Sequence, residues 1–446
     1  MNTALESRIR TLTSAWLVPK TLGRVTEVAG TLVQIATGVG SDAPELGEVM
    51  EVETSAGIVP CEIVGFRGNN LLAIPLAPAR QIAAGAAARP TGRAATIPVG
   101  DQLLGRVVDP FGVPMDGGSP PRCNDRVAVD GAALPIDQRG GVETRFETGV
   151  RVIDALLTCG RGQRVGIFAG AGCGKSVLVE QIATQASADV IVVGLVGERG
   201  REVQELMASS RRGQMVIVAA TSDRSPLERI RGATAATAIA EHFRDRGKNV
   251  LLVIDSLTRF AMAIREIGLA LGEPPATKGY PPSVFATLPR LLERVAPRKA
   301  GGSITAFYTV LVEGDDLSDP IADSARSLLD AHIVLSRELA GRAHFPAVDV
   351  LASASRVARR VAGAATVQLA NRTRDLLSQR KQATELQALG AYTPGANAAL
   401  DAALAGGIRI DAWARQAPDE ASSHDQSIRG LTAALLLPTA AEERPS

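Results

Sequence analysis

The chain has 446 residues, and 48 Lys+Arg against 47 Asp+Glu leave a formal net charge of +1. Hydrophobic residues make up 46% and charged residues 21%, which excludes wholesale disorder. Aromatics are only 3%, and with a balanced charge this argues against a basic, stacking surface for nucleic acid.

Such a length predicts about three domains and a core that needs neither disulfides nor a structural metal. Cys61, Cys123, Cys159 and Cys173 stand far apart, as do His242, His332, His344 and His424, with no metal-type spacing. A reducing cytoplasm fits that usage. No apolar run approaches the ~20 residues of a membrane span. The opening MNTALESRIR lacks the apolar centre of a secretory signal. A soluble cytoplasmic protein is expected.

Residues 1–19 predict an amphipathic helix, with Leu5, Ile9, Leu12 and Trp16 on one face. It either docks on its own domain or binds a partner. Residues 20–90 then alternate in short stretches, TLVQIA, GEVMEV, IVPCEIVGF and NNLLAIPL, which predict a small β-barrel. Residues 83–94 are expected to form a linker, and 110–145, rich in Gly, Pro and Asp, to be loops. A central α/β domain is expected over 91–362, and after 150 the texture becomes α/β. VGIFAG, VIVVGLVG, MVIVAAT, NVLLVIDSL and SITAFYTVLV are apolar runs separated by helical patterns. That pattern implies a mainly parallel sheet covered on both faces. Residues 363–446 carry Ala, Leu and charge with helical texture, which predicts a helical C-terminal domain.

The strand VGIFAG runs into Ala169-Gly170-Ala171-Gly172-Cys173-Gly174-Lys175-Ser176 and then, from Val177, a helical pattern. This is the phosphate-binding loop G-x4-G-K-[ST] with Ala169 in the first position. Glycines let backbone N–H groups surround phosphate oxygens, and the helix N-terminus adds its positive end. Lys175 should reach the β- and γ-phosphates of a nucleoside triphosphate, and the Ser176 hydroxyl should ligate Mg2+. Asp255 ends the apolar run NVLLVID, where it can hold that Mg2+ through water. Glu198 ends another apolar run in VVGLVGERGRE and is followed by Arg199.

Phosphate loop, GERGREV, VIDSLTRFA and SASR, in that order, resemble the catalytic subunits of rotary ATP synthases. Three longer stretches, 147–176, 268–294 and 302–337, resemble the type III protein export ATPases, most of all their flagellar branch. The resemblance covers about 100–360 closely; the barrel and the C-terminal helices match in layout.

It implies a RecA-like ATPase core between a β-barrel and a helical domain, assembled as a homohexamer with ATP at subunit interfaces. It also implies that Glu198 activates the hydrolytic water, that Arg199 contacts the γ-phosphate, and that Arg356 reaches the neighbouring subunit's site. Phe345, where the family usually has Tyr, would stack on adenine, and Trp413 could close over the base. Cys173 stands where an aliphatic residue is usual. It is expected to be a small buried hydrophobe, with the alternative of an oxidisable thiol at the helix N-terminus.

Implied partners are a stator or regulatory protein at the N-terminal helix and a central-stalk protein at GDDLSDP (314–320). Export-gate membrane proteins, export chaperones and substrates complete the set, with peripheral attachment to the inner-membrane export apparatus. Three other readings compete. Glu198 argues against a non-catalytic nucleotide-binding ring subunit, and the charge balance argues against a Rho-like RNA translocase. PIADSARS (320–327) favours a flagellar over an injectisome ATPase.

Overall fold

A computed structural model of the protein describes residues 23–37, 44–76, 81–208, 212–312, 314 and 316–436. The expected helix over 1–19 lies outside the described residues. The chain divides into two compact units. One gathers the residues up to Thr96 with 225–228 and 266–273. The other gathers Ile97–Arg224, Arg229–Arg265 and the chain from Pro274 on.

In the first unit, β1 (Gly23–Ala29), β2 (Leu32–Ala36), β3 (Glu48–Thr54), β4 (Gly57–Arg67), β5 (Asn70–Pro75) and β6 (Ala87–Ala94) close a barrel. Their order is β1-β2-β5-β4-β3-β6. Side chains alternate between the two faces of a strand. Val25, Val33, Ile35, Met50, Val52, Ile63 and Leu71 therefore fill the barrel interior. Cys61 joins them, and burial pushes its thiol up to about 12.

The expected linker over 83–94 is corrected by β6. This strand pairs with β1 through Gly23↔Ala88 and with β3 through Val52↔Ala88. Only Ala88 of AARPTGRA is buried, so no apolar alternation announces the strand. It forms because β1 and β3 would otherwise leave open edges. The barrel consequently runs past residue 90.

Short strands follow, all in the second unit apart from the first residue of β7: β7 (Thr96–Val99), β8 (Val107–Val108), β9 (Asp125–Ala128), β10 (Arg145–Phe146) and β11 (Cys159–Gly160). β7 pairs with β9, and β10 with β11. The main strands follow: β12 (Arg164–Ala169), β13 (Val190–Val196), β14 (Met215–Ala220), β15 (Asn249–Asp255), β16 (Ser303–Leu311), β17 (Ala331–Leu335) and β18 (Val348–Ser355). With β8 they make one eight-stranded sheet in the order β18-β17-β12-β16-β15-β13-β14-β8. All neighbours run parallel except the edge pair β17–β18. β13 and β14 are buried at every residue, as strands covered on both faces must be.

Three helices, Ala364–Ala388, Ala398–Ala414 and His424–Leu436, close the chain within the same unit. Asn397 caps the second by accepting from the N–H groups of Ala399 and Leu400. The first two helices approach closely at Gly406 and Gly407. A Cβ at Gly407 would meet Arg380 Cδ at 2.1 Å.

Candidate active site

In a parallel sheet every strand ends on the same side, and the crevice beyond those ends is where ligands bind. β12, β13, β15 and β16 deliver the residues of interest there. The loop after β12 turns through Gly172 (φ +81°) and Gly174 (φ +82°), a left-handed region that glycine enters freely. A Cβ on Gly174 would also sit 3.1 Å from the Phe345 ring. The helix Lys175–Gln185 then starts with its N–H groups facing the loop.

Lys175 Nζ is held between two carboxylates. It donates to Asp255 Oδ1 and, at 3.4 Å, to Glu198 Oε1. Asp255 is the last residue of β15, and Glu198 follows the end of β13, the adjacent strand. Thr309 on β16 donates its hydroxyl to Asp255 Oδ1 at 2.5 Å. Burial opposes the charge on Lys175, but Asp255 and Glu198 outweigh it and hold its proton affinity above the ordinary lysine value. Burial, reinforced by the Asp255 charge, raises Glu198 above the usual glutamate range. Glu202, one turn into the next helix, is raised in the same way by burial and by Glu198.

Ser176, Glu202, Glu205 and Asp255 line one small cavity beside the loop. Its donors are all oxygens, the set that suits Mg2+, which usually keeps water and takes one or two carboxylates with substrate phosphates. Among the described residues there is no cluster of three or more His, Cys, Asp or Glu able to hold a metal alone. Ser176 and Asp255 thus fit a cation that arrives with a nucleotide.

Ala169, Gly170, Ala171, Gly172, Cys173, Gly174, Lys175 and Ser176 form one turn against Glu198 and Asp255. Val177 is exposed at the start of the helix. Arg199 is exposed at the rim, as the N-cap residue of the helix Gly200–Met207. Phe345 is 40% exposed beside the loop, as an aromatic platform for a base would be. Cys173 is only 1% exposed and belongs to the core under the loop, so burial favours the hydrophobe and disfavours the oxidisable thiol. Trp413 is partly buried against the core, with its indole beside Gly430 of the last helix.

Arg356 is not brought to this cluster. It follows β18, and the pairings Ser355↔Ala331 and Ala331↔Val165 put it level with the start of β12. The phosphate loop leaves the other end of β12, four residues on, or ~13 Å at 3.3 Å per residue. Arg356 is exposed at that far end.

Several contributors escape sequence reasoning. Thr309 is one of several hydroxyl residues in the strand SITAFYTVL, and nothing along the chain singles it out. Gln416 accepts the Arg151 N–H at 2.8 Å and donates its own backbone N–H to the Phe345 carbonyl at 3.0 Å. Gln181 and Gln185, on the helix after the loop, donate to the carbonyls of Ala417 and Pro418. A C-terminal segment therefore ties the phosphate-loop helix to Phe345. The only local signal was GERGREV, which carries Glu202.

The family model "ATP synthase alpha/beta family, nucleotide-binding domain" matches residues 149–355, and "T3SS EscN ATPase C-terminal domain" matches 362–433. The flagellum-specific ATP synthase of Pseudomonas aeruginosa is 48% identical over 85% of each chain. The type 3 secretion system ATPase of Xanthomonas euvesicatoria is 44% identical over 97% of each. The assembled ATPase EscN of enteropathogenic E. coli superposes with a TM-score of 0.86 at 40% identity, covering 93% of this chain and 100% of that one. The same ATPase in complex with its central stalk EscO gives 0.83. A phosphate loop with a lysine held by two strand-end carboxylates, on this fold and with these relatives, identifies the chain as a P-loop ATPase belonging to the type III protein export ATPase family.

Proposed function

We propose that the chain hydrolyses Mg2+-bound ATP at the Lys175–Glu198–Asp255 cluster to energise flagellar protein export. The convergence of a phosphate-loop lysine and two buried carboxylates at one crevice carries the reading. The loop amides and Lys175 take the phosphates, and Lys175 exchanges a carboxylate for them when the nucleotide enters. Ser176 and Asp255 would hold the cation, which would supply charge neutralisation on the phosphates. Glu198, freed from Lys175, orients the attacking water and accepts its proton, a task that suits a carboxylate raised by burial. Arg199 reaches the γ-phosphate from the rim, and Phe345 stacks on the base.

Arg356 supports assembly. It lies at the wrong end of the sheet to serve its own phosphate loop, so it acts in trans, on the ATP of the next subunit in a homohexamer. A relative solved as an assembled ATPase, and again with its central stalk, supports the ring and a stalk partner. A regulatory stator protein, export-gate proteins and chaperone-bound substrates are the further partners, at the cytoplasmic face of the inner membrane. No described helix is long and apolar enough to cross a membrane.

Specific activity should rise with protein concentration, because each site waits for an arginine from another copy. Activity independent of concentration down to the monomer would remove the trans reading. An injectisome role is the second reading, supported by relatives of 44–46% identity named type 3 secretion system ATPases. Deletion of the gene separates the two: loss of filaments supports flagellar export, and loss of host-directed secretion alone replaces it.

A further inference from the structure

Arg356 directly follows β18, which is one of the two edge strands of the sheet. An edge strand has one row of backbone groups without a strand partner. Here two of its carbonyls are taken by one guanidinium from a distant helix. Arg374, on Ala364–Ala388, donates Nη1 to the Val350 carbonyl at 2.6 Å and Nη2 to the Ser353 carbonyl at 3.1 Å.

Pairing with β17 is irregular at this place, between His332 and Val334. Ser353 Oγ repairs it from the inside by accepting the Val334 N–H at 2.9 Å. The strand's end is pinned to the core. Ser355 Oγ donates to the Thr158 carbonyl at 3.1 Å, and the Arg356 N–H donates to the Asp330 carbonyl at 3.0 Å. Asp330 is in turn held by Arg164 through its backbone N–H at 3.0 Å and its side chain.

Arg374 is half-buried, and its guanidinium is engaged by these two backbone carbonyls. Burial pulls its proton affinity down, with only the more distant Asp349 charge opposing. A half-buried arginine whose partners are carbonyls of one edge strand is placed for geometry, since neutral carbonyls offer it less than a carboxylate would. The helix that carries it begins eight residues after Arg356, so the fork closes the chain back onto the arginine's own strand.

We propose that Arg374 is the positioning residue for Arg356. By clamping β18 to the helix Ala364–Ala388 it sets where the Arg356 guanidinium is presented to the neighbouring subunit, and it couples that presentation to the C-terminal helices. The proposal rests on the reading of Arg356 as an arginine supplied in trans.

Mixing variants of the full chain tests it. R374M should lower kcat of the assembled ATPase by ~10–100-fold, the cost of misplacing a catalytic group by about an ångström. Its Kd for a fluorescent ATP analogue should stay within about twofold, since its own phosphate loop is intact. R374K, which keeps a donor but loses the fork, should recover part of kcat. R374M/R356A should be no slower than R356A.

The decisive arm mixes R374M with K175A. K175A subunits have a dead loop but an intact arginine strand, so activity should exceed the sum of the separate parents. R356A mixed with K175A is the control. Recovery in both mixtures supports the clamp. Recovery in the control alone means that Arg374 serves its own subunit's fold, and overturns the proposal. Failure of the control removes the trans arginine and this proposal with it. Should R374M not fold, R374K carries the same mixing arm with the same outcomes.

Discussion

The two ends of the eight-stranded sheet differ in how complete they are. At the strand ends beyond β12, β13 and β15, the buried charges are partnered with one another. Lys175 meets Glu198 and Asp255, and Thr309 meets Asp255. At the opposite end Arg356 is anchored by its backbone while its side chain faces solvent. Buried charges need partners inside the molecule, whereas an exposed guanidinium is free to find one outside it. On the proposed reading, the difference teaches that a subunit binds nucleotide with its own residues and hydrolyses it with an arginine from its neighbour.

The sharpest way to break that comparison is R356A. Turnover should fall by about 10³–10⁵, the range for arginines supplied in trans to phosphoryl transfer, with nucleotide affinity of the isolated subunit unchanged. Steady-state hydrolysis and equilibrium binding, measured on one preparation, check it; a loss of affinity instead would mean that Arg356 serves its own loop. Next in size, E198Q should cost about 10²–10⁴ in kcat and still bind ATP. Substantial turnover in that variant would unseat Glu198.

Replacing Phe345 tests the ring beside the phosphate loop. F345A should raise the KM for ATP by about 5–150-fold, the equivalent of 1–3 kcal/mol of base stacking, while F345Y stays within about threefold. Equal KM for ATP and for tripolyphosphate in F345A would confirm that the ring reads the base. A smaller effect concerns pH. Glu198 must be ionised to accept a proton, and burial with the Asp255 charge raises its value. As pH falls, activity should therefore be lost at a higher pH than the ordinary glutamate value of about 4.3 would give. A kcat/KM profile whose acid limb sits at that ordinary value would contradict the buried geometry. The least change is expected from C173A, within about twofold in kcat, because the thiol points into the core and volume is nearly kept. Inactivation of the native protein by a thiol reagent, absent in C173A, would restore the reactive-thiol reading.

Much of this was legible along the chain. The apolar runs found at 165–170, 190–197, 215–221, 249–257 and 303–312 are strands within a residue or two, because near-complete burial keeps charged residues out of their interiors. The first barrel strand and β6 were not legible. GRVTEVA and AARPTGRA bury too few apolar residues to show an alternation, and barrel closure alone gives them partners. Thr309 and Gln416 were invisible for a related reason. A hydroxyl in an apolar strand or an amide in a loop acquires meaning only from the group that folding puts opposite it.

By itself, then, the sequence determined the phosphate loop, the strands and helices around it, and the residue types able to do phosphate chemistry. Those depend on local backbone freedom, local hydrophobic period and the intrinsic chemistry of side chains. Only the tertiary structure decided which residues meet. Sheet order carries Asp255 across 80 residues to Lys175, closes the barrel with an unpromising strand, and leaves Arg356 at the far end of the sheet. Pairing between distant strands is set by the burial and hydrogen bonding of the whole sheet, so no local stretch of chain contains it.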